Sequence, residues 1–173
     1  MTFKSRTVVT FLILFACIGC DRITKTIAKE HLPRQEVISL WQDTVHLQYV
    51  ENTGAFLSFG SNVSEPVRFV VFTLLTGLFL SGLLIYQLSA RNINRLQVVA
   101  IAMVLGGGYG NLIDRIFNGG RVFDFLNVGI GQVRTGIFNI ADMSITFGVL
   151  WFLALIGIEA LRPTRKRHHE STC

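Results

Sequence analysis

The sequence is short of charge. Only 16% of its residues are Asp, Glu, Lys or Arg, against about 25% in an average soluble protein. That deficit, with half of the residues hydrophobic, argues against an ordinary water-soluble domain. Proline is scarce as well, with 3 in the chain, so long helical stretches run without a built-in breaker. Of 3 cysteines, Cys17 and Cys20 form one Cys-x-x-Cys inside an apolar run, and Cys173 stands alone. No second cysteine pair exists and no histidine falls at a zinc spacing, which removes a structural zinc site. Free cysteine in such a run reads as a small hydrophobe. The glycine-rich stretch Gly106, Gly107, Gly108 and Gly110 lacks the Lys-Ser/Thr of a phosphate-binding loop. Gly106 and Gly110 instead form a small-xxx-small pattern for close helix packing. No internal repeat or low-complexity tract is present.

What the chain has in abundance is long apolar runs. A membrane-crossing helix needs about 20 mostly apolar residues. Four stretches qualify, at approximately 8–28, 67–88, 96–116 and 137–161. The chain of 173 residues is therefore expected to be one membrane-embedded domain of an all-α polytopic class. Between the spans lie extramembrane segments at approximately 30–65 and 117–136. The alternation in Val45-His46-Leu47-Gln48-Tyr49-Val50 reads as a half-buried strand, and Asn52-Thr53-Gly54 as a turn. Asn118-Gly119-Gly120 breaks the third span.

The N-terminus imitates a lipoprotein signal peptide, with Lys4 and Arg6 before an apolar core and then Leu14-Phe15-Ala16-Cys17. Cleavage there would make Cys17 or Cys20 a lipidated terminus. A continuing helix through Ile23 and Ile27, with further spans behind it, favours an uncut first span. The net charge of +5 belongs with lipid rather than nucleic acid, because the basic residues flank apolar runs instead of forming a stripe. Basic residues on the two sides tie in number. Those near the termini and the 89–95 loop sit in shorter segments, and short flanks decide orientation. Both termini, with the Arg165-Lys166-Arg167 tail, are accordingly placed in the cytoplasm.

With that topology, polar residues from separate spans gather at the outer face. Asp21, Arg22 and Lys25 end the first span, and Asn111, Asp114 and Arg115 end the third. Asp124 lies in the following loop, and Asn139 and Asp142 open the fourth span. Charge in or near hydrocarbon is costly and marks a functional site. Asn111 lies three residues from Asp114 and four from Arg115, so all can share a helix face. Asp142 falls in a first helical turn, where the dipole favours a carboxylate. Asp21 with Lys25, and Asp114 with Arg115, can also be read as structural charge clusters. Asp124, between Phe123 and Phe125, has no obvious structural task. Two carboxylates in an apolar setting suggest aspartic-protease chemistry, in which the pair shares one proton.

Five ordered blocks carry a resemblance: Asp21-Arg22-Ile23-Thr24-Lys25, Asn52-Thr53-Gly54-Ala55-Phe56, Gly106 to Arg115, Val122-Phe123-Asp124-Phe125 and Phe138-Asn139-Ile140-Ala141-Asp142. On these the chain resembles the bacterial lipoprotein signal peptidases, or signal peptidase II family. The resemblance implies four transmembrane helices with a small periplasmic β-sheet platform and a short extramembrane helix. It implies Asp124 and Asp142 as the catalytic dyad. Asn52, Gly54, Asn111, Asp114, Arg115 and Asn139 would line the substrate site, with Asp21 and Lys25 in support. It further implies prolipoprotein substrates bearing diacylglyceryl-cysteine, a cut just before that cysteine, no metal or organic cofactor, and a place in the bacterial inner membrane. A monomer is the expectation, although the sequence itself does not decide the oligomeric state. Two departures stand out. Phe56 arrives one residue early in the second block, and Arg22 replaces a common Gln. The rival reading is a proton-coupled transporter or channel component. Such a relay would distribute acids through the membrane depth, whereas the inner halves of the spans carry only Glu159. A non-enzymatic membrane scaffold is a second rival, and it leaves Asp124 unexplained.

Overall fold

A computed structural model describes residues 1–54 and 63–161. Helix α1 spans Phe3–His31, and strands β1 (Ile38–Leu40) and β2 (Val45–Asn52) follow. Helix α2 spans Glu65–Ser89, α3 spans Arg95–Phe117, β3 spans Val122–Ile130, β4 spans Val133–Arg134 and α4 spans Ile140–Leu161. The 4 helices are each long and apolar enough to cross a membrane. The basic tail and Cys173 lie outside the described residues, as does the altered Ala55-Phe56 stretch. Among the described residues no separate extramembrane helix occurs, because Glu65–Phe69 runs directly into the second span.

Helix α3 is the centre of the bundle. Most of it is buried, whereas the other helices leave broad apolar faces open, as helices surrounded by lipid tails do. Its small residues explain how. A Cβ added at Gly106 would sit 2.6 Å from the Cβ of Cys17, and one at Gly107 would sit 2.3 Å from the Ala141 carbonyl oxygen. Two neighbouring glycines thus let α1 and α4 approach α3 on adjacent faces, the close packing that membrane helices depend on. α3 begins with a capping box between Asn94 and Gln97. It ends at Asn118, followed by Gly119 and Gly120 at φ +61° and +81°, a left-handed exit that glycine tolerates without strain.

Two observations fix which ends of the helices lie together. The Arg6 guanidinium donates to the carbonyls of Leu88 and Ala90, and Asn94 donates to Glu159. The chain start, the α2–α3 turn and the end of α4 therefore share one end of the bundle. The strands connect the opposite ends, in the antiparallel order β1-β2-β3-β4. α1 is also one continuous helix through Cys17 and Cys20, as the uncut reading requires. The fourth helix starts at Ile140 rather than 137. The preceding residues are extended: the Phe138 carbonyl accepts from the N–H of Phe125 and Leu126, and the Phe138 N–H donates back to Leu126. That short bridge lashes the start of α4 to β3.

Candidate active site

Strand β3 gives Asp124 its direction. Side chains alternate along a strand, so Phe123 and Phe125 share one face and Asp124 takes the other. Phe123 packs at a tilt against Tyr49, with ring centroids 4.7 Å apart, and stacks on Phe125 at 5.8 Å. The two phenylalanines are the sheet's own core, and they turn the carboxylate between them toward the helix ends. Asp124 is 2% exposed. The Phe138 bridge sets Asn139 and Asp142 beside it.

Asn139 and Asp142 cap α4 reciprocally. The Asp142 N–H donates to Asn139 Oδ1 at 3.0 Å, and the Asn139 N–H donates to Asp142 Oδ2 at 3.1 Å, which is capping-box geometry with Asn and Asp in the two roles. With its oxygen committed to an N–H, the Asn139 amide can only present Nδ2 to its other neighbours. It donates to Asp124 Oδ1 at 2.6 Å and to Asn111 Oδ1 at 3.1 Å.

Asn111 is oriented by the same logic. Lys25 Nζ, which can only donate, contacts Asn111 Oδ1 at 3.1 Å. The Asn111 Nδ2 is thereby left for Asp142 Oδ1, at 2.8 Å. Asn52 follows suit on the sheet: its Oδ1 accepts from the Gly54 N–H, and its Nδ2 donates to Asp124 Oδ2 at 2.9 Å. Each asparagine thus has a donor-only partner that fixes which end faces a carboxylate. Asp124 and Asp142 are joined through Asn139 and Asn111, and Asp142 also acts on Asp124 through its charge.

Burial, and after it the charge of Asp142, pushes the Asp124 carboxyl from 3.8 up to about 6, against the opposing donations of Asn52 and Asn139.

Behind this pair lies a buried ion cluster. Lys25 Nζ is 2.7 Å from Asp21 Oδ2 and 2.7 Å from Asp114 Oδ2, and Asp21 and Asp114 are both fully buried. Asp21 Oδ1 accepts the Ala141 N–H at 3.0 Å, and Asp114 accepts from Arg22, Asn118 and the Phe123 N–H. Such a cluster ties α1, α3, β3 and α4 together at one level. Asp114 consequently points into the protein rather than into a cleft.

Arg115 points the other way. It donates to the Gly54 carbonyl at 2.8 Å and lies 5.9 Å from the Phe72 ring centroid. Its buried Nε has no hydrogen-bond partner among the described residues. It borders a cleft of about 430 Å³ with Phe72 and Thr76 of α2, Asn111 of α3, and Asp142, Ile145 and Leu150 of α4. A smaller cleft of about 240 Å³ reaches Asp142 from its other side, along Phe138, Met143 and Phe147. A third, of about 360 Å³, opens at Asp124 along β2 and Gly136. Open space thus meets both carboxylates.

The residues singled out in the sequence do converge. Arg22, grouped there with the polar residues that end the first span, holds a buried aspartate. The strand around Asp124 is not announced by the sequence, because Val122 to Asn127 is largely buried on both faces and hydrophobic alternation is masked. Among the described residues no group of three or more His, Cys, Asp and Glu is placed to hold a metal ion.

Four apolar helices capped by a small sheet, with paired carboxylates where the two meet, define a polytopic membrane enzyme. A family profile described as Signal peptidase (SPase) II matches residues 13–158. The lipoprotein signal peptidase of Chlorobium phaeobacteroides (strain BS1) is 37% identical over 155 residues, covering 82% of this chain and 94% of that one. That of Treponema denticola is 37% identical over 136 residues, covering 76% and 79%. A bacterial membrane enzyme solved by the in meso method at 2.3 Å resolution superposes with a TM-score of 0.78 at 26% identity, covering 91% of this chain and 92% of that one. The chain belongs to the signal peptidase II family. It is a multi-pass membrane peptidase that removes signal peptides from lipoproteins.

Proposed function

We propose that the chain, as one membrane-embedded peptidase domain, is an aspartic endopeptidase whose dyad is Asp124 and Asp142. It cuts diacylglyceryl-modified prolipoproteins just before the lipidated cysteine. The observation that carries this reading is the pair itself: a buried carboxylate and a half-buried one from different elements, linked by two asparagines whose orientations are fixed, with open clefts on both.

In the productive form of the enzyme the pair holds one proton, and it sits on Asp124, whose carboxyl is raised by burial and by the Asp142 charge to about 6, so this form dominates below about pH 6. Asp142 accepts two donations, from Asn111 Nδ2 and the Asn139 N–H, and is the ionised member. Asp142 takes a proton from a water molecule, and the resulting hydroxide attacks the scissile carbonyl. Asp124 donates a hydrogen bond to that carbonyl oxygen and stabilises the developing charge. As the tetrahedral intermediate collapses, the proton on Asp142 passes to the leaving amine, and the pair returns to one shared proton. The step needs no cofactor. Asn52, Asn111 and Asn139 hold the carboxylates in register. Arg115, with its spare Nε, and the Gly54 backbone position the substrate peptide. Asp114, Asp21 and Lys25 support the site from behind.

The cleft between α2 and α4 is walled by Phe72, Ile145, Val149 and Leu150, a lining suited to the apolar parts of a lipid-anchored precursor. The chain then acts as a monomer in the bacterial cytoplasmic membrane, with both termini inside and the site at the periplasmic face. Purified protein in detergent, given a diacylglyceryl-prolipoprotein and its unlipidated counterpart, tests the reading by mass spectrometry of the products. Release of a peptide ending just before the lipidated cysteine, from the lipidated precursor only, is the expected result. No cleavage by folded protein across several such precursors would reject it.

A further inference from the structure

The ion cluster behind the dyad is balanced in an unusual way. Four carboxylates gather at this level: Asp21 and Asp114 in the cluster, and Asp124 and Asp142 in the dyad. Three cations face them: Lys25, Arg115 and Arg22. The count leaves one carboxylate over, which under the proposed dyad the shared proton neutralises. Arg22 is the member that makes this balance close. It takes Asp114 Oδ1 while Lys25 takes Asp114 Oδ2. Lys25 in turn holds Asn111 Oδ1, and Asn111 holds Asp142. An unbroken chain of polar contacts runs from Arg22, near the protein surface, to the dyad.

We propose that Arg22 is a positioning residue for the dyad: by neutralising Asp114 it keeps Lys25 centred on Asp21, Asp114 and Asn111, and so sets how firmly Asp124 and Asp142 hold their shared proton. The inference rests on the dyad reading. Charged groups face Arg22 from each element packed near it. Asp21, Lys25 and Lys29 lie on α1, Asp114 and Arg115 on α3, Asp124 on β3 and Asp142 on α4. Lys29 is engaged with the Phe123 ring at 5.2 Å, and Arg121 with Glu51. No other cation among the described residues is recorded in an ion pair with Asp114. When Arg22 loses its charge, Asp114 draws Lys25 toward itself and away from Asn111, and the level gains one net negative charge. Both changes favour protonation of the dyad.

The test compares pH profiles of kcat/KM for wild type, Arg22→Gln, Arg22→Met and Arg22→Lys. The arginine side chain is 43% exposed, so its influence is screened. The neutral variants should shift both limbs of the profile upward by about half a pH unit, about a threefold rate change on a steep limb. Arg22→Lys should restore the wild-type profile, which a purely steric role would not. Profiles of both neutral variants that superimpose on wild type overturn the inference, whatever their thermal stability. So does an equal shift in Arg22→Lys. If instead Asp124→Asn retained full activity, the dyad reading would fail, and that result is separate from any Arg22 profile.

Discussion

The two ends of the bundle each contain a buried polar network, and they are built on opposite plans. At the end near the chain terminus, Gln87 Nε2 donates to Thr10 Oγ1 at 2.6 Å and to the Val98 carbonyl at 3.2 Å, and Arg6 closes the carbonyls that end α2. That network pairs neutral groups, or one cation with helix carbonyls, and borders none of the described clefts. At the sheet end, four carboxylates and three cations share one level, and two of the carboxylates meet open space. A largely neutral network costs less to bury than a charged one, although Gln87 Oε1 and Arg6 Nε have no hydrogen-bond partner among the described residues. A charged one is expensive, and where it also faces a cleft the expense points to chemistry. The network near the chain terminus holds helices together, and the one at the sheet end holds helices and, under the proposed dyad, also carries the chemistry.

The largest expected difference between the two ends is catalytic. Asp124→Asn and Asp142→Asn should each lower kcat by about 10³-fold or more with circular dichroism and melting unchanged. Gln87→Leu should leave kcat within about threefold of wild type. Full activity in either aspartate variant would erase the contrast.

Stability should separate the ends next. Lys25→Met leaves buried Asp21 without a cation and Asp114 with Arg22 alone, at a cost of about 3–5 kcal/mol. Gln87→Leu removes neutral hydrogen bonds, at about 1–2 kcal/mol. Thermal unfolding in a fixed detergent measures both, and equal losses would contradict the distinction.

A smaller effect sharpens the sign of the charge. The folded Asp124 carboxyl binds its proton up to about pH 6, while an unfolded aspartate has released its own near 3.9. The stabilisation linked to this proton is therefore present below the ordinary value and lost as pH rises through about 6. The dyad needs the same proton, so kcat/KM should decline above about pH 6. A profile flat from 5 to 9 would remove the proton from the mechanism. In Asp142→Asn the neighbouring charge is gone, and carbon-13 titration of Asp124 should then move downward.

The sequence was most legible where one physical rule dominates. Apolar run length located the four helices to within a few residues, and Gly106 was readable as a packing residue because backbone approach demands a missing Cβ. Legibility failed where partners are distant in the chain. Nothing local to Asp114 says that Lys25 and Arg22, 89 and 92 residues away, bind it, and the family resemblance groups it with the substrate-lining residues because it shares their motif block. The strand carrying Asp124 was hidden because both its faces are buried. Trp41, Gln42 and Asp43, at φ 51°, 52° and 69°, form a left-handed turn without glycine, held by Arg134 on the Asp43 carbonyl at 2.7 Å. No local signal announces such a turn.

The most direct test of the dyad is single-turnover cleavage of a diacylglyceryl-prolipoprotein by wild type and Asp124→Asn, with binding of the same precursor measured alongside. The account predicts that the variant binds with nearly unchanged affinity and releases no signal peptide. A variant that still cuts before the lipidated cysteine at the wild-type rate would contradict it.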